Sequence, residues 1–279
     1  MSDPLTTTAE AREFAFTTRD FERVCAMIRA RAGIALAPSK RDMVYSRLSR
    51  RLRVLRLDSF AAYLQLLDEP RHPEWEAFTN ALTTNLTAFF REPHHFETLQ
   101  TLLREARGPR PLLLWSAAAS TGEEPYSIAI SACEAFGTLQ PPVRILATDL
   151  DTQVLQTAER GVYPLERIER LDTARRRRFF RRGVGSRDGY CRVIDEVRAL
   201  VHFRPLNLLD ERWPLRGPYT AIFCRNVMIY FDRPTQHRVL SHLVPLLADD
   251  GLLFAGHSES FFHAAELVRP CGRTVYRRA

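Results

Sequence analysis

The chain has 279 residues, 45% hydrophobic and 26% charged, with a net charge of +7 and a pI near 9.5. That describes an ordinary soluble protein of about two domains at roughly 150 residues each, with no apolar run approaching the roughly 20 residues of a membrane-spanning helix. The excess of Lys+Arg (40) over Asp+Glu (33) implies an acidic partner: nucleic acid, an anionic membrane or an acidic protein surface.

The start, MSDPLTTTAEAREF, is polar and mixed in charge, so it lacks a secretory-signal pattern and a cytoplasmic location is expected. The first dozen residues read as a loose tail. From Thr17 to about Asn80 the pattern is helical throughout. Phe21, Val24, Cys25, Ile28 and Ile34 lead into a second helix, Lys40 to Leu57, and a third, Ser59 to Leu67. Pro70 and Pro73 break the chain before a further helical stretch, Glu74 to Leu82. Residues 12–80 are therefore expected to form a small all-helical domain. A linker over 81–95 joins it to a second domain over 96–279.

After Phe96 short apolar runs alternate with helices. The runs are Pro111 to Ala117, Val143 to Thr148, Thr220 to Cys224, Gly251 to Ala255 and Thr274 to Tyr276. Helices open at Gly122-Glu123-Glu124-Pro125, after Asp149-Leu150-Asp151, and near Pro234. This grammar predicts an α/β fold with a mostly parallel, doubly wound sheet and a ligand at the C-terminal strand ends. Gly183 to Phe203 interrupts the alternation, and its glycines and alternating apolar residues predict a small antiparallel insertion over about 183–203.

Strand endings are where chemistry is expected. Ser116-Ala117-Ala118-Ala119-Ser120-Thr121-Gly122 lets a ligand approach the backbone, but it is neither G-x-G-x-x-G nor G-x-x-x-x-G-K-[ST]. Followed by Glu123 and Glu124, it suits a ligand with hydroxyls and a positive centre, or is simply a tight turn. Asp149, at the end of the second strand, either grips a ribose diol or caps the next helix; Asp151 is the better cap. Asn207 and Asn226 lie at strand ends and can satisfy backbone or recognise a ligand, with Tyr230 close by in sequence. His94 and His95 supply too few ligands for a metal, and there is no G-x-S-x-G elbow. The five cysteines (Cys25, Cys133, Cys191, Cys224, Cys271) are scattered, with no C-x-x-C pair, and read as structural.

Two basic clusters remain. In Lys40 to Arg56, Val44, Leu48, Leu52 and Leu55 share one helical face while Arg47, Arg50 and Arg53 project from the other. Arg175 to Arg182 encloses Phe179 and Phe180 and is either an anion-binding face or a solvated surface with a Phe in the core.

Taken together, TNLTAFFRE, WSAAASTGEEPYSIAI, FCRNVMIYF, GLLFAGHSES and KRDMVYSRLSRRLR closely resemble the chemotaxis receptor methyltransferases, the CheR family, in order from about residue 18 to the C-terminus. The resemblance implies a Rossmann-like S-adenosylmethionine-dependent methyltransferase with an all-helical N-terminal domain and a small antiparallel β-subdomain. Its reaction would be O-methylation of glutamates on chemoreceptor cytoplasmic helices, leaving S-adenosylhomocysteine, with no metal. Asn85, Thr87, Arg91, Glu124, Asp149, Asn207, Leu208, Asn226 and Val227 would bind cofactor, with Arg91 and Tyr230 nearest the transferring methyl. Arg47, Arg50 and Arg53 would dock the substrate, and the β-subdomain would take a receptor C-terminal pentapeptide in those members that use one. The protein would be cytoplasmic, recruited to membrane-bound receptors without inserting. A nucleic-acid methyltransferase is the first rival, but Asn226-Val227-Met228-Ile229 is not the Asn-Pro-Pro-aromatic signature of base amino-methylation. A binding module that has lost the chemistry is the second, and Arg91, Glu124, Asp149, Asn226 and Tyr230 argue against such decay.

Overall fold

Helical periodicity in the first third of the chain becomes four helices in the structure, a computed structural model that describes residues 12–106 and 111–279. They are α1 (Thr18–Ala32), α2 (Arg41–Leu55), α3 (Phe60–Leu66) and α4 (Glu74–Leu82). Residues 1–11, most of the expected loose tail, lie outside the described residues. Thr17 and Asp20 form a reciprocal capping box at α1. The apolar stripes of these helices meet in one core of Val24, Ile28, Val44, Leu48, Leu52, Phe60, Tyr63 and Phe78, all fully buried. The expected linker ends early, because α5 (His94–Glu105) begins within it.

The second domain follows as β1 (Leu112–Ser116), α6 (Glu123–Phe136), β2 (Val143–Asp149), α7 (Thr152–Arg160), β3 (Val162–Pro164), α8 (Thr173–Phe179), β4 (Phe180–Arg182), β5 (Tyr190–Val193), α9 (Asp195–Arg198), β6 (Val201–Pro205), β7 (Tyr219–Phe223), α10 (Arg233–Leu243), β8 (Leu247–Phe254), β9 (Val268–Gly272) and β10 (Val275–Arg278). The main sheet runs β6-β2-β1-β7-β8-β10-β9. Its first five strands are parallel, and β10 inserts antiparallel between β8 and β9. Both faces are covered. Leu114, Ala221 and Phe223 face the side packed by α5 and α6, while Trp115 and Ile222 face the side packed by α10. A strand buried on both faces has no polar alternation, which is why β1 and β7 read as continuous apolar runs.

One expectation is corrected. The insertion is not 183–203: the small antiparallel sheet is ordered β3-β5-β4, spanning Val162 to Val193, and β6 belongs to the main sheet beside β2. His202 and Arg204 are exposed while Val201 and Phe203 are buried, the alternation of an edge strand with one wet face. The expectation draws on glycines and on alternating residues from Tyr190 to Val201, of which Tyr190–Val193 belong to the small sheet while Val201 opens β6.

The chain leaves β1 toward β2 on one side and reaches β7 on the other. The β1/β7 boundary is thus the switch point where a crevice opens in such sheets.

Candidate active site

A cleft of about 370 Å³ opens at that point, between the C-terminal strand ends, the linker and the helical domain. Asn85, Thr87, Arg91, Glu124, Asp149, Asn207, Leu208, Asn226, Val227 and Tyr230 all line it. Four of the five stretches that meet there end or follow strands, because parallel strands deliver every C-terminal end to one edge of the sheet, and the linker supplies the fifth.

The floor is the turn after β1. Ala117 N–H donates to Phe223 O at 2.8 Å and Ala119 N–H to Thr148 O at 2.8 Å, so the turn is clamped by both neighbouring strands. Gly122 takes φ +97°, and a Cβ there would lie 2.8 Å from Ala158 Cβ and 2.8 Å from Tyr163 Oη. Only glycine fits that close approach.

Two carboxylates flank the turn. Asp149 accepts from Ser120 N–H at 2.8 Å and Asp151 N–H at 2.9 Å. Burial pushes its carboxyl up to about 6 against those two hydrogen bonds. Asp151 is the cap of α7, accepting from Gln153 and Val154 N–H. It also accepts from Thr83 Oγ1 at 2.8 Å and Asn85 Nδ2 at 2.9 Å, which pins the linker to α7. Glu124 accepts from Ser116 Oγ at 2.8 Å and Arg225 Nη1 at 2.8 Å. Burial pushes Glu124 up, opposed by Arg225 and Ser116.

Sequence reasoning missed Arg225 and Glu259. Arg225 is 3% exposed and follows a strand whose five residues are all buried. A charged residue closing an apolar strand was the available signal, since a buried guanidinium must have partners. Its Nη2 donates to Arg91 O at 2.5 Å and lies 3.3 Å from Glu92 Oε2. Burial would raise Glu92, but Arg225 and hydrogen bonds from His257 hold it down at about 2. Glu259 accepts from the N–H groups of Asn226 (2.9 Å), Val227 (3.0 Å), Met228 (2.8 Å) and Gly256. It thereby fixes Asn226 in the left-handed region at φ 59°.

Helical-domain residues complete the cleft. Asn207 Nδ2 donates to Arg31 O at 2.9 Å, Ala35 N–H to Tyr230 O at 3.3 Å, and Arg29 pairs with Asp232 at 2.8 Å. Asn207 Oδ1 accepts from Leu209 N–H at 3.0 Å, so this amide ties two domains together at the cleft wall.

The three docking arginines do not form one open face. Arg47 turns inward, donating to Ala81 O (3.1 Å) and Thr83 O (2.6 Å) and lining the cleft. The free carbonyls at the end of α4 draw it there. Arg53 pairs with Glu13 at the surface, and Arg50 is exposed. In the second cluster Phe179 and Phe180 are both buried, and Arg175 holds Glu134 through two bonds and stacks over Phe90 at 4.1 Å. Arg177, Arg178, Arg181 and Arg182 are exposed. Among the described residues, potential ligand atoms of Glu92, His94 and His95 lie within 4.8 Å of one another. The Arg225 guanidinium already faces that carboxylate, which weakens its pull on a cation.

With this geometry established, residues 85–277 match the family described as CheR methyltransferase, SAM binding domain, and residues 19–83 match CheR methyltransferase, all-alpha domain. Chemotaxis protein methyltransferase 2 of Pseudomonas aeruginosa is 57% identical over 270 residues, 96% of each chain. The chemotaxis protein methyltransferase of Escherichia coli is 51% identical over 263 residues, 94% of this chain and 91% of that protein. That of Salmonella typhimurium is 50% identical over 266 residues, 95% of this chain and 92% of its own.

Proposed function

The chain belongs to the CheR methyltransferase family, and on that premise we propose that it methylates glutamate side chains of chemoreceptor cytoplasmic domains, as a protein-glutamate O-methyltransferase using S-adenosylmethionine. The observation that carries this reading is the cleft at the strand ends, where Glu124 and Asp149 flank a small-residue turn and Arg91 and Tyr230 share the same walls. That donor set fits the cofactor. Asp149 offers acceptor oxygens to a pair of ribose hydroxyls, Glu124 offers negative charge to a cationic centre, and Ala117 and Ala118 allow close approach. When bound, S-adenosylmethionine supplies a methyl group made electrophilic by its sulfonium.

The chain's own residues bind and orient. A glutamate acceptor with pKa near 4.3 is more than ~99% ionised at pH 7 and needs no general base. Arg91, its Nη1 donating to Leu86 O at 2.9 Å, holds the acceptor carboxylate, and Tyr230 orients it by hydrogen bonding. Such positioning lowers the barrier by up to roughly 7–11 kcal/mol.

Glutamate-rich receptor helices are the acidic partner that the net charge of +7 suits. Arg50 remains exposed to meet them, and the surface pair Arg53–Glu13 is of the kind that exchanges at low cost. The β3-β5-β4 sheet, with two edge strands, is the candidate seat for a receptor C-terminal pentapeptide. The protein would work in the cytoplasm, recruited to membrane-bound receptors; among the described residues no helix is long and apolar enough to cross a membrane. The test is transfer of labelled methyl from S-adenosylmethionine to receptor-containing membranes, with RNA as a parallel acceptor, followed by mild alkali. Volatile methanol released from protein is the expected outcome; alkali-stable label on RNA would refute the assignment.

A further inference from the structure

We infer that Arg225 is a positioning residue that keeps Glu124 charged and aimed into the cleft while fixing the linker at Arg91, so that recognition of the cofactor's amino-acid end depends on it. This rests on the cofactor reading above and goes beyond it by assigning a role to Arg225, a cleft-lining residue to which the sequence analysis gave none.

A guanidinium 3% exposed is costly to bury, so its partners decide why it is there. One nitrogen meets Glu124 Oε2 at 2.8 Å, and the other meets Arg91 O at 2.5 Å. The second also lies 3.3 Å from Glu92 Oε2. Two carboxylates therefore share one guanidinium, Glu92 being also bonded by His257, and Glu124 is the carboxylate of the pair that lines the cleft. A cationic ligand group would meet Glu124 there.

The groups acting on the Glu124 charge are Arg225, Glu92 and Ser116. With Arg225 removed, Glu92 would repel Glu124 and burial would favour its protonated form. The same loss frees the Arg91 carbonyl. Because Arg91 also reaches back to Leu86 O, the main chain and side chain of this residue are set together. A buried pair that served stability alone would not need to join the cofactor-facing carboxylate to the linker.

The experiment compares Arg225→Gln, Arg225→Lys and Ser116→Ala with the natural chain by titration calorimetry from pH 6 to 8. Two ligands are used: S-adenosylhomocysteine, which carries the amino-acid end, and methylthioadenosine, which lacks it. Arg225→Gln is expected to weaken S-adenosylhomocysteine roughly tenfold at pH 7, about 1.4 kcal/mol, with a larger loss toward pH 6 and methylthioadenosine little changed. Arg225→Lys should recover part of the loss. Ser116→Ala, which removes the other partner of Glu124 without stranding a buried charge, should show a smaller loss with the same ligand dependence. Equal losses for both ligands at every pH, or no loss, would overturn the inference while leaving the cofactor reading in place. Failure of the natural chain to bind either ligand would overturn both.

Discussion

Replacing Glu259 by Gln removes a charge without changing shape, and the hydrogen bonds around that carboxylate determine the cost. Each carboxylate oxygen accepts two backbone N–H groups: Oε2 from Asn226 and Gly256, Oε1 from Val227 and Met228. An amide presents one oxygen and one NH2 group. Whichever way it is turned, two acceptor bonds are lost and donors face donors. At about 1.5–3 kcal/mol for each bond to a charged group, the gross loss is roughly 3–6 kcal/mol. Burial already pushes the Glu259 carboxyl up, so removing its charge offsets part of this, and about 2–4 kcal/mol should remain. The turn that fails holds Asn226 and Val227 at the cleft, so ligand binding should weaken with stability. Urea unfolding followed by the fluorescence of buried Trp115, with calorimetric titration of S-adenosylhomocysteine, reads both. A variant matching the natural chain in urea midpoint and affinity would refute this account of how the turn is held.

Three further outcomes are expected. Burial places the Asp149 carboxyl at about 6, above the usual aspartate value, so between pH 4 and 6 the folded chain holds a proton that the unfolded chain has released; stability of the unliganded chain should fall as pH rises through that window. Because ribose hydroxyls need the ionised form, affinity for S-adenosylhomocysteine should fall about tenfold per pH unit below 6, and a flat profile from pH 5 to 7 would count against the assignment. Gly122→Ala adds a Cβ 2.8 Å from Ala158 Cβ at a φ of +97° and should cost about 2–4 kcal/mol through strain and overpacking, seen as a lowered melting temperature; an unshifted melt would mean the turn relaxes freely. Arg50→Glu should lower methylation of an intact receptor severalfold while leaving methylation of a short glutamate peptide unchanged, and equal loss on both would remove Arg50 from docking.

Much of the site was legible because polar residues at the ends of apolar strands stand out. Asp149 and Asn226 close mostly apolar runs, of which β7 buries all five side chains, and a parallel sheet carries such ends to one edge. The features that stayed hidden depend on contacts between distant elements. A helical wheel places Arg47 opposite Leu48, but the carbonyls that claim it belong to α4 and the linker. Arg225 and Glu259 sit among motif residues, yet their partners come from α6, the linker and the turns after β7 and β8. β3, at three residues, is too short to show alternation, and β6 alternates because only one of its faces is covered. With β3 hidden, the glycines and the alternating residues from Tyr190 to Val201 marked only the later part of the subdomain.

The central claim is methyl-ester formation on receptor glutamates. It is tested most directly by tandem mass spectrometry of a chemoreceptor cytoplasmic fragment incubated with this protein and S-adenosylmethionine, before and after mild alkali. The account predicts added methyl groups localised to glutamate side chains, removed by alkali and absent with the Arg91→Ala variant. Methyl groups that survive alkali, or that map to lysine, arginine or the chain termini, would contradict it.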